Sequence, residues 1–318
     1  MKLLILNEHE VTELLTMEEC IGVMEEALTA LANGEVVNPL RHLVRGSDGR
    51  GILGLMPAWR GGANPVYGLK EVCVFPGNPA RGLDTHLGAV LLHSGDTGEL
   101  LAMVNAAAVT AIRTAAVSAV ATKLLARKDA SVLAIIGAGA QAKTHLEAIP
   151  LVRNINDVRI FSRTRAKAAA LGRVVDSVEE AVRGADIIVT ATSSREPILR
   201  REWLAPGAHI NAVGSSIAAA RELDSATVAA ASLFVDRRES TVNESGDYLF
   251  ALREGAISGP EHIRAELGEI LTGSAQGRTS SDELTLFKSL GLAVEDLSAA
   301  AFLYEKARRL GRGTVVEF

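Results

Sequence analysis

The feature that most constrains the fold of this chain is a glycine-rich turn directly after an unbroken apolar run. Residues 130–136 read Ala-Ser-Val-Leu-Ala-Ile-Ile, and Gly137-Ala-Gly139-Ala-Gln-Ala142 follows before a helical stretch to Ile149. Apolar runs of this kind are typical of parallel strands covered on both faces. Strand, glycine turn and helix in this order are the context in which G-x-G-x-x-A binds a dinucleotide.

Each small residue of the turn has a physical task in dinucleotide binding. Gly137 makes the tight turn, Gly139 lets the backbone approach a pyrophosphate, and Ala142 lets helix and strand pack closely. The N-terminus of the helix then points its free N–H groups at the phosphates. The alternative is a structural turn without a ligand. The predicted cofactor contacts in the turn are Gly137, Ala138, Gly139, Ala140 and Gln141.

The surrounding sequence alternates strands and helices from about residue 128 to 240. Further apolar strands are predicted at Val158–Phe161, Ile187–Ala191, His209–Val213 and Ser232–Val235. This rhythm predicts a doubly wound parallel sheet of the Rossmann type. The segment between Arg163 and Ser177 is short for a complete crossover, which puts a third strand near Val174 in doubt. From Asp247 onward the pattern predicts mostly helix.

The N-terminal part has a different texture. Residues 11–33 show apolar positions at helical spacing, with Thr16 and Glu19 placed as a capping box and Gly34 as the stop. Short extended runs separated by turn residues then predict a mostly antiparallel sheet up to Leu101. A long Ala-rich helix follows it. The fold class expected is therefore α/β, with a Rossmann domain after an N-terminal α/β domain.

Composition and charge exclude several classes of protein. The chain has 318 residues, which is enough for two domains. Its net charge of −5 provides no positive electrostatic field that would attract nucleic acid or anionic membranes. The N-terminus lacks a basic patch before an apolar run, so we expect a cytoplasmic protein. Cys20 and Cys73 are far apart, and the histidines have no ligand spacing, so no metal site is predicted.

The choice of dinucleotide depends on the end of the second Rossmann strand. NAD-binding enzymes place an acidic residue there for the ribose 2′-hydroxyl, whereas this chain has Ser162, Arg163, Thr164 and Arg165. Two guanidinium groups and two hydroxyls suit a 2′-phosphate, because Arg binds phosphate in a bidentate manner. NADPH is therefore the predicted cofactor, with NADH possible. The alternative is that the arginines form a solvated helix start.

Several motifs spread over nearly the whole chain resemble the ornithine cyclodeaminase and mu-crystallin family, with mu-crystallin-like ketimine reductases as the most similar branch. The motifs are Gly-Leu-Met-Pro (54–57), Gly-Leu-Lys (68–70), Thr-His (85–86), Thr-Ala-Ile-Arg-Thr-Ala-Ala-Val-Ser (110–118), the turn at Gly137, Pro-Gly-Ala-His-Ile-Asn-Ala-Val-Gly (206–214), Arg-Glu-Leu-Asp (221–224), Glu-Ser-Gly-Asp (244–247) and Phe-Lys-Ser-Leu-Gly (287–291). The resemblance implies a substrate-binding and dimerisation domain at 1–118, joined by a C-terminal helix at 294–318, and a Rossmann domain at 119–293. It also implies a homodimer.

The resemblance implies that Arg41, Lys70 and Arg113 bind the carboxylate of a small substrate. The residues themselves agree, since three cations beside apolar segments are costly unless an anion pairs with them. The alternative for each is a carboxylate of the protein itself. Lys70 is also the expected proton donor, because neighbouring arginines lower its pKa. The family further places Thr85 near nicotinamide and substrate, and Thr190, Thr192, Val213 and Ser289 along the nicotinamide half.

Two departures separate this chain from other members of the family. Cyclodeaminases and the related alanine dehydrogenases carry Asp after the Val-Gly pair, where this chain has Ser216 at a catalytic position. A serine cannot act as that acid or base near neutral pH. Cyclodeaminases also carry Glu two residues before the Met-Pro pair, where Gly54 stands.

The function expected from these observations is NADPH-dependent reduction of small cyclic ketimines. Δ1-Pyrroline-2-carboxylate or Δ1-piperideine-2-carboxylate would yield L-proline or L-pipecolate, with broader imine reduction, or reductive amination of a keto acid with an amine, also open. An ornithine cyclodeaminase or alanine dehydrogenase is the first alternative. A non-catalytic, mu-crystallin-like binding protein is the second.

Overall fold

The computed structural model describes residues 2–318, which form two compact units. One unit takes the chain up to Arg113 together with Leu292–Phe318, and the other takes Thr114–Gly291. We call them the first and the second unit. The α/β fold class is confirmed.

The first part of the chain contains most of the first unit. Its elements are β1 (Lys2–Leu6), α1 (Glu8–Leu14), α2 (Met17–Ala32), β2 (Val36–Val37), β3 (His42–Arg45), β4 (Ile52–Arg60), β5 (Val66–Val74), β6 (His86–Ser94), β7 (Leu100–Asn105) and α3 (Ala106–Leu125). The capping box of α2 is confirmed, because Thr16 Oγ1 accepts from the Glu19 N–H and the Glu19 carboxylate accepts from the Thr16 N–H. The helix ends before Gly34, whose φ of 77° favours glycine.

The second unit is built on strands alternating with short helices. Its elements are β8 (Val132–Ile136), α4 (Ala140–Ala148), β9 (Asp157–Phe161), α5 (Arg165–Ala169), α6 (Val178–Val182), β10 (Ile187–Thr190), β11 (His209–Ala212), α7 (Ser225–Ala230), β12 (Ser232–Val235), α8 (Arg238–Glu244), α9 (Gly246–Arg253), β13 (Ile263–Glu266), α10 (Leu267–Leu271) and β14 (Thr285–Lys288). The chain then returns to the first unit as α11 (Ala293–Leu310) and β15 (Thr314–Glu317).

The sheet of the first unit has the order β15-β1-β7-β6-β5-β4-β2, with β3 also paired to β4. Its pairs are antiparallel except β1 with β7, so the prediction of a mostly antiparallel sheet is confirmed. α11 packs on β4, β5 and β6 and against α2. This packing places the N-terminal turn of α11 over the centre of the sheet.

The prediction for the C-terminal helix is wrong, and one strand pair at the chain termini was missed. The C-terminal helix, predicted at 294–318, ends at Leu310, where Gly311 takes a left-handed conformation. Residues 314–317 form β15, which pairs with β1, a strand that the sequence analysis did not predict. Gly311 and Gly313 both have positive φ, so the chain turns back toward β1 instead of extending the helix.

The sheet of the second unit is parallel throughout, in the order β13-β12-β14-β11-β10-β8-β9. The predicted Rossmann arrangement is confirmed. The third strand beyond β9 is reduced to one parallel bridge between Ile160 and Val174. The prediction of a mostly helical C-terminal part was wrong at β13 and β14. Each is a four-residue strand that contains Arg or Lys, so neither shows the continuous apolar run that predicts a buried strand.

α3 is the helix within residues 2–318 that is long and apolar enough to cross a membrane, although 78% of its most apolar window is buried inside the protein. Such burial is typical of a core helix in a folded domain. The division between the two units falls within this helix, after Arg113.

Candidate functional site

The glycine turn has the geometry that its sequence predicts. Gly137 follows β8 with a φ of 129°, and its N–H donates to the Phe161 carbonyl at 2.8 Å. A Cβ at this position would lie 2.4 Å from the Ala191 carbonyl oxygen. Only glycine therefore allows the chain after β8 to pass this close to the end of β10.

The next small residues leave room for a ligand on the outside and close packing inside. Gly139 caps α4, and no atom lies within 4 Å of the Cβ that another residue would carry there. Ala142 is fully buried and packs in one cluster with Ile135 and Val189. The turn and the first N–H groups of α4, at Ala140 and beyond, thus fit a pyrophosphate.

The four residues after β9 lie on the surface. The Ser162 hydroxyl accepts from the Thr164 N–H at 3.2 Å. Arg163 is exposed, and the exposed Arg165 forms an ion pair with Asp176. One of the two guanidinium groups predicted to bind a 2′-phosphate is therefore engaged by a carboxylate of the protein, while Arg163 makes no ion pair within residues 2–318.

At the carboxyl ends of β10 and β11, the structure brings together groups that the sequence did not connect. Glu222 is fully buried, and its carboxylate accepts from the hydroxyl of Thr190 at 2.8 Å and from the N–H of Gly214 at 2.8 Å. The N–H and the hydroxyl of Thr192 each donate to it at 2.7 Å. The predicted cofactor residues Thr190 and Thr192 thus direct their hydroxyls at Glu222.

A second carboxylate and a lysine support this arrangement. Asp247 accepts from the N–H groups of Glu222 and Leu223 at 2.8 and 3.0 Å, and it forms a buried ion pair of 2.9 Å with Lys288. Burial raises the pKa of Glu222, while Lys288 and the two threonine hydroxyls oppose that rise. We call Glu222, Asp247 and Lys288, with the donors on Glu222, the Glu222 network.

The remaining predicted residues of the second unit lie at the same edge of its sheet. Val213 follows β11 and donates its N–H to the Thr190 carbonyl at 2.9 Å. Ser289 follows β14, is buried, and donates its N–H to the Ala212 carbonyl at 3.0 Å. Ser216 is half-buried in the loop that leads from β11 to Glu222.

In the first unit, Lys70 lies at the centre of β5 on the face that α11 covers. Its neighbours in register are Met56 and Val90, both buried, and Lys70 itself is 4% exposed. Two residues earlier, a Cβ on Gly68 would lie 2.6 Å from Leu297 of α11. Glycine at that position lets the helix approach the strand closely.

This close approach delivers carboxylates to the buried cations. The Asp296 carboxylate accepts from Lys70 Nζ at 3.0 and 3.2 Å and from Arg113 Nε at 3.1 Å, and Glu295 accepts from Arg113 Nη1 at 2.6 Å. Both carboxylates are fully buried. We call Lys70, Arg113, Glu295 and Asp296 the Lys70–Arg113 cluster.

The charge argument made from the sequence was therefore wrong for Lys70 and Arg113. Their own chain supplies the anions that balance them, which is the alternative the sequence left open. Asp296 and Glu295 lie in the first turn of α11, where negative charge also interacts favourably with the helix dipole. Carboxylate binding by these cations stays a prediction.

The cluster sets the proton affinity of its cations. Burial lowers the pKa of Lys70 to about 8; Asp296 opposes this, while Arg113 and Arg41 add to it. Burial disfavours charge on Arg113 as well, but Asp296 and Glu295 outweigh it and raise the pKa of the guanidinium. Lys70 is thus the cation of the cluster that can release a proton near neutral pH.

The two other predicted residues of the first unit are Arg41 and Thr85. Arg41 is half-buried before β3 and is near enough to Lys70 to lower its pKa. Thr85 is half-buried before β6, and its carbonyl accepts from the Phe75 N–H at 2.9 Å.

Four acidic residues with contacts to the predicted site escaped the sequence analysis: Glu222, Asp247, Glu295 and Asp296. Glu222 and Asp247 lie in the motifs 221–224 and 244–247, which carried the family resemblance without a role. Acidic residues early in an otherwise apolar helix were the available signal for α11. Their partners are distant in sequence, so only the fold identifies them.

Comparison with known proteins agrees with this geometry. The model of the ornithine cyclodeaminase/mu-crystallin family matches residues 1–310. The chain belongs to the ornithine cyclodeaminase/mu-crystallin family. The predicted family is thereby confirmed, and its members supply the relatives with which the site can be compared.

Three family members illustrate the range of similarity. The ketimine reductase mu-crystallin of Mus musculus is 43% identical over 295 residues, which cover 90% of this chain and 91% of that one. The Δ1-pyrroline-2-carboxylate reductase of Thermococcus litoralis, solved with NADH and L-proline, is 39% identical with a TM-score of 0.94, covering 98% and 99%. An archaeal alanine dehydrogenase dimer with bound NAD is 35% identical with a TM-score of 0.94, covering both chains fully.

Proposed function

We propose that the protein is an NAD(P)H-dependent reductase of small cyclic ketimines that carry a 2-carboxylate. Δ1-Pyrroline-2-carboxylate and Δ1-piperideine-2-carboxylate are the substrates, and L-proline and L-pipecolate the products. The observation that carries the proposal is the pairing of a dinucleotide turn at Gly137 with buried cations at Lys70 and Arg113 in one family member. Relatives named for ketimine and pyrroline-2-carboxylate reduction support it.

The second unit supplies the cofactor site in this proposal. Residues 137–141 hold the pyrophosphate through backbone N–H groups at the start of α4, where Gly139 leaves open space. Thr190, Thr192, Val213 and Ser289 line the nicotinamide half from the carboxyl ends of β10, β11 and β14. When bound, the reduced nicotinamide supplies a hydride to the imine carbon.

The first unit supplies the groups that act on the substrate. Arg41, Lys70 and Arg113 bind and orient the carboxylate, and Thr85 adds a hydroxyl beside the ring. A protonated imine is already electrophilic, so catalysis is mainly orientation and electrostatics. Lys70 Nζ provides the proton of the imine nitrogen, since its pKa of about 8 lies near the working range.

The preference for NADPH rests on the residues after β9. Arg163 is exposed and makes no ion pair within the described chain, whereas Arg165 is held by Asp176. We assign the 2′-phosphate to Arg163, with the Ser162 and Thr164 hydroxyls as further donors. NADH remains usable, because the structural relatives are solved with NADH or NAD.

Alanine dehydrogenation is the second candidate, because the archaeal alanine dehydrogenase is nearly as similar to this chain as the pyrroline reductase. Deamination needs a positioned base or acid at the amine. Ser216 and Gly54 stand where cyclodeaminases carry carboxylates, and Ser216 also replaces the Asp of alanine dehydrogenases. Ketimine reduction is therefore favoured. A binding protein without catalysis, on the mu-crystallin pattern, is the remaining alternative.

The assembly and its surroundings belong to the same proposal. We propose a cytoplasmic homodimer formed by the unit that contains β3, without nucleic-acid or membrane partners. Leu43 and Val44 of β3 and the nearby Val37 expose apolar side chains that a second copy can cover. The proposed domain roles are substrate binding and dimerisation for 1–118 with the returning helix, and cofactor binding for 119–293.

The deciding experiment measures oxidation of NADPH and NADH with five- and six-membered ketimines and with keto acid plus amine mixtures. Separate assays measure reduction of NAD(P)+ with alanine and release of ammonia from ornithine. The proposal expects rapid oxidation of NADPH with at least one cyclic ketimine and slow deamination. Cofactor binding without turnover of any imine supports the binding protein instead. Deamination as fast as ketimine reduction supports the dehydrogenase or cyclodeaminase.

A further inference from the structure

Three motifs that carried the family resemblance converge on one buried charge arrangement. The segments 221–224, 244–247 and 287–291 contribute Glu222, Asp247 and Lys288, none of them more than 3% exposed. None of the three side chains takes part in the proposed chemistry. Buried charges are costly, so their presence at one edge of the sheet requires a physical reason.

The Glu222 carboxylate accepts hydrogen bonds from two loops. Its Oε1 accepts two hydrogen bonds from Thr192, and its Oε2 accepts from Thr190 and Gly214. Four donors saturate the four acceptor positions of an ionised carboxylate. The loop after β10 and the loop after β11 are therefore fixed to the same anion.

Two glycines allow the backbone to pass close to this carboxylate and to the loop that carries it. A Cβ at Gly214 would lie 2.2 Å from the Thr192 carbonyl oxygen and 2.6 Å from Glu222 Oε1. A Cβ at Gly246 would lie 1.8 Å from the Ala220 carbonyl oxygen. Asp247 holds the backbone of Glu222 from behind and is itself paired with Lys288, at the end of β14.

The strand order says what these loops face. The chain runs from β8 outward to β9 and then returns to the other side of β8 as β10 and β11. A dinucleotide crosses such a sheet at the reversal, with one mononucleotide on each side. Because the ribose that carries the 2′-position would lie at the end of β9, the ends of β10, β11 and β14 would face the nicotinamide half.

We propose that Glu222 is a positioning residue for the nicotinamide half of the cofactor, and that Asp247 and Lys288 hold it in place. Its carboxylate ties the ends of β10 and β11 into one rigid surface, against which the ring is held for hydride transfer. The inference rests on the proposed function, since it needs a nicotinamide cofactor. Orientation of the reacting groups is the effect through which such a residue changes the rate.

The test compares two ligands that share the adenosine half. In Glu222→Gln, an amide nitrogen replaces one carboxylate oxygen and faces N–H and O–H groups that donated hydrogen bonds to it. The two loops are then no longer bonded to one acceptor group. We expect affinity for NADH to fall about tenfold and kcat with a ketimine to fall at least as much, while affinity for ADP-ribose stays unchanged. If Glu222 has a purely structural role, the substitution lowers the affinities for NADH and ADP-ribose equally, or it lowers only the melting temperature.

Glu283→Gln is the matched control. The Glu283 carboxylate accepts from Thr279 and Ser232 at the amino ends of β12 and β14, the opposite edge of the same sheet. This variant should lower stability without separating NADH from ADP-ribose. Thr190→Val removes one buried donor to Glu222, keeps the shape of the side chain, and serves if Glu222→Gln does not fold. It should lower the affinity for NADH less strongly than Glu222→Gln does, and it should likewise leave the affinity for ADP-ribose unchanged.

The outcomes distinguish the inference from the proposed function. Wild-type protein that binds neither NADH nor NADPH removes the proposed function. Wild-type protein that binds and turns over, with Glu222→Gln and Thr190→Val retaining NADH affinity and kcat, overturns the positioning role alone. Equal losses of NADH and ADP-ribose affinity also overturn it.

Discussion

The Lys70–Arg113 cluster and the Glu222 network bury charge in opposite ways. The first holds two cations and two carboxylates within ion-pair distance, and the second holds two carboxylates, one lysine and several neutral donors. In the first, opposite charges balance one another. In the second, hydrogen bonds from backbone and hydroxyl groups carry part of the compensation.

The difference shows two ways in which buried charge is compensated. In the Lys70–Arg113 cluster the carboxylates of α11 satisfy the cations before any substrate arrives, so the cations are held in place and retain unused donors. In the Glu222 network the carboxylate has no acceptor position left, so it can only fix other groups. The first arrangement suits binding and proton transfer, and the second suits positioning.

The largest effect is expected when the first arrangement is broken at Arg113. Arg113→Ala removes the ion pairs that Arg113 forms with Glu295 and Asp296, which costs about 3–5 kcal/mol of unfolding free energy. It also removes a donor from the substrate carboxylate, so KM should rise and kcat fall together, lowering kcat/KM by about 100-fold or more. Urea unfolding and steady-state kinetics measure the two effects separately.

Arg60→Ala is the control for this variant. Arg60 also reaches α11, where its guanidinium donates to Ser298 at 3.1 Å, but it lies outside the cluster. It should leave kcat/KM near the wild-type value. A loss of stability with normal kinetics in Arg113→Ala would contradict the role of Arg113 in carboxylate binding.

A second variant changes the pH dependence through Lys70. The charged groups that shift the pKa of Lys70 are Asp296 from α11, Arg113 from α3 and Arg41 before β3. His86 on β6 also faces Lys70, which helps to lower the pKa of His86. Asp296 raises the pKa of Lys70, so Asp296→Asn should lower it by about one unit or more. If the ammonium donates the proton, activity falls as pH rises through this pKa.

The alkaline limb of the pH–rate profile of Asp296→Asn should therefore move to lower pH, with kcat about fivefold lower than wild type at pH ~8 and about tenfold lower at higher pH. Glu295→Gln is the matched control, because Glu295 bonds to Arg113 and not to Lys70. An alkaline limb in the same place for both variants and wild type assigns the proton to another donor.

A third prediction concerns the cofactor edge of the second unit. Arg163→Asp should weaken NADPH binding by more than about tenfold and leave NADH nearly unchanged, because a charge-assisted bond to the 2′-phosphate is lost and a repulsive charge is added. Arg165→Asp should have a smaller effect, since Arg165 is already paired with Asp176. Fluorescence titration with both cofactors measures the difference; unchanged NADPH affinity in Arg163→Asp contradicts the assignment.

The smallest effect is expected at Ser216. Ser216→Asp should lower ketimine reduction a few-fold and raise oxidative deamination, because an anion there stabilises a charged nitrogen but competes for the carboxylate-binding cations. Ser216→Asn is the control, because its side chain has the shape of the introduced aspartate and carries no charge. Rapid ornithine or alanine deamination by the wild type would show that the serine does not decide the reaction.

The sequence predicted structure correctly where the required interactions are between residues close together in the chain. The glycine turn after β8, the capping box of α2 and the parallel strands at 187–190 and 209–212 all follow from neighbouring residues, and the structure has each of them. Prediction failed for β1 and β15, since a short strand is decided by the partner it finds. The predicted end of the last helix was wrong for the same reason, because residues 314–317 pair with β1 instead.

What the sequence by itself determined is a dinucleotide-binding α/β chain of a known family, because strand periodicity, glycine spacing and motif residues are properties of short segments. The tertiary structure decided which carboxylates meet which cations. Asp296 reaches Lys70 across 226 positions of chain, and Glu222 reaches Thr190 across 32. Such pairs depend on helix and loop placement, and their energies come from burial, which a linear sequence does not contain.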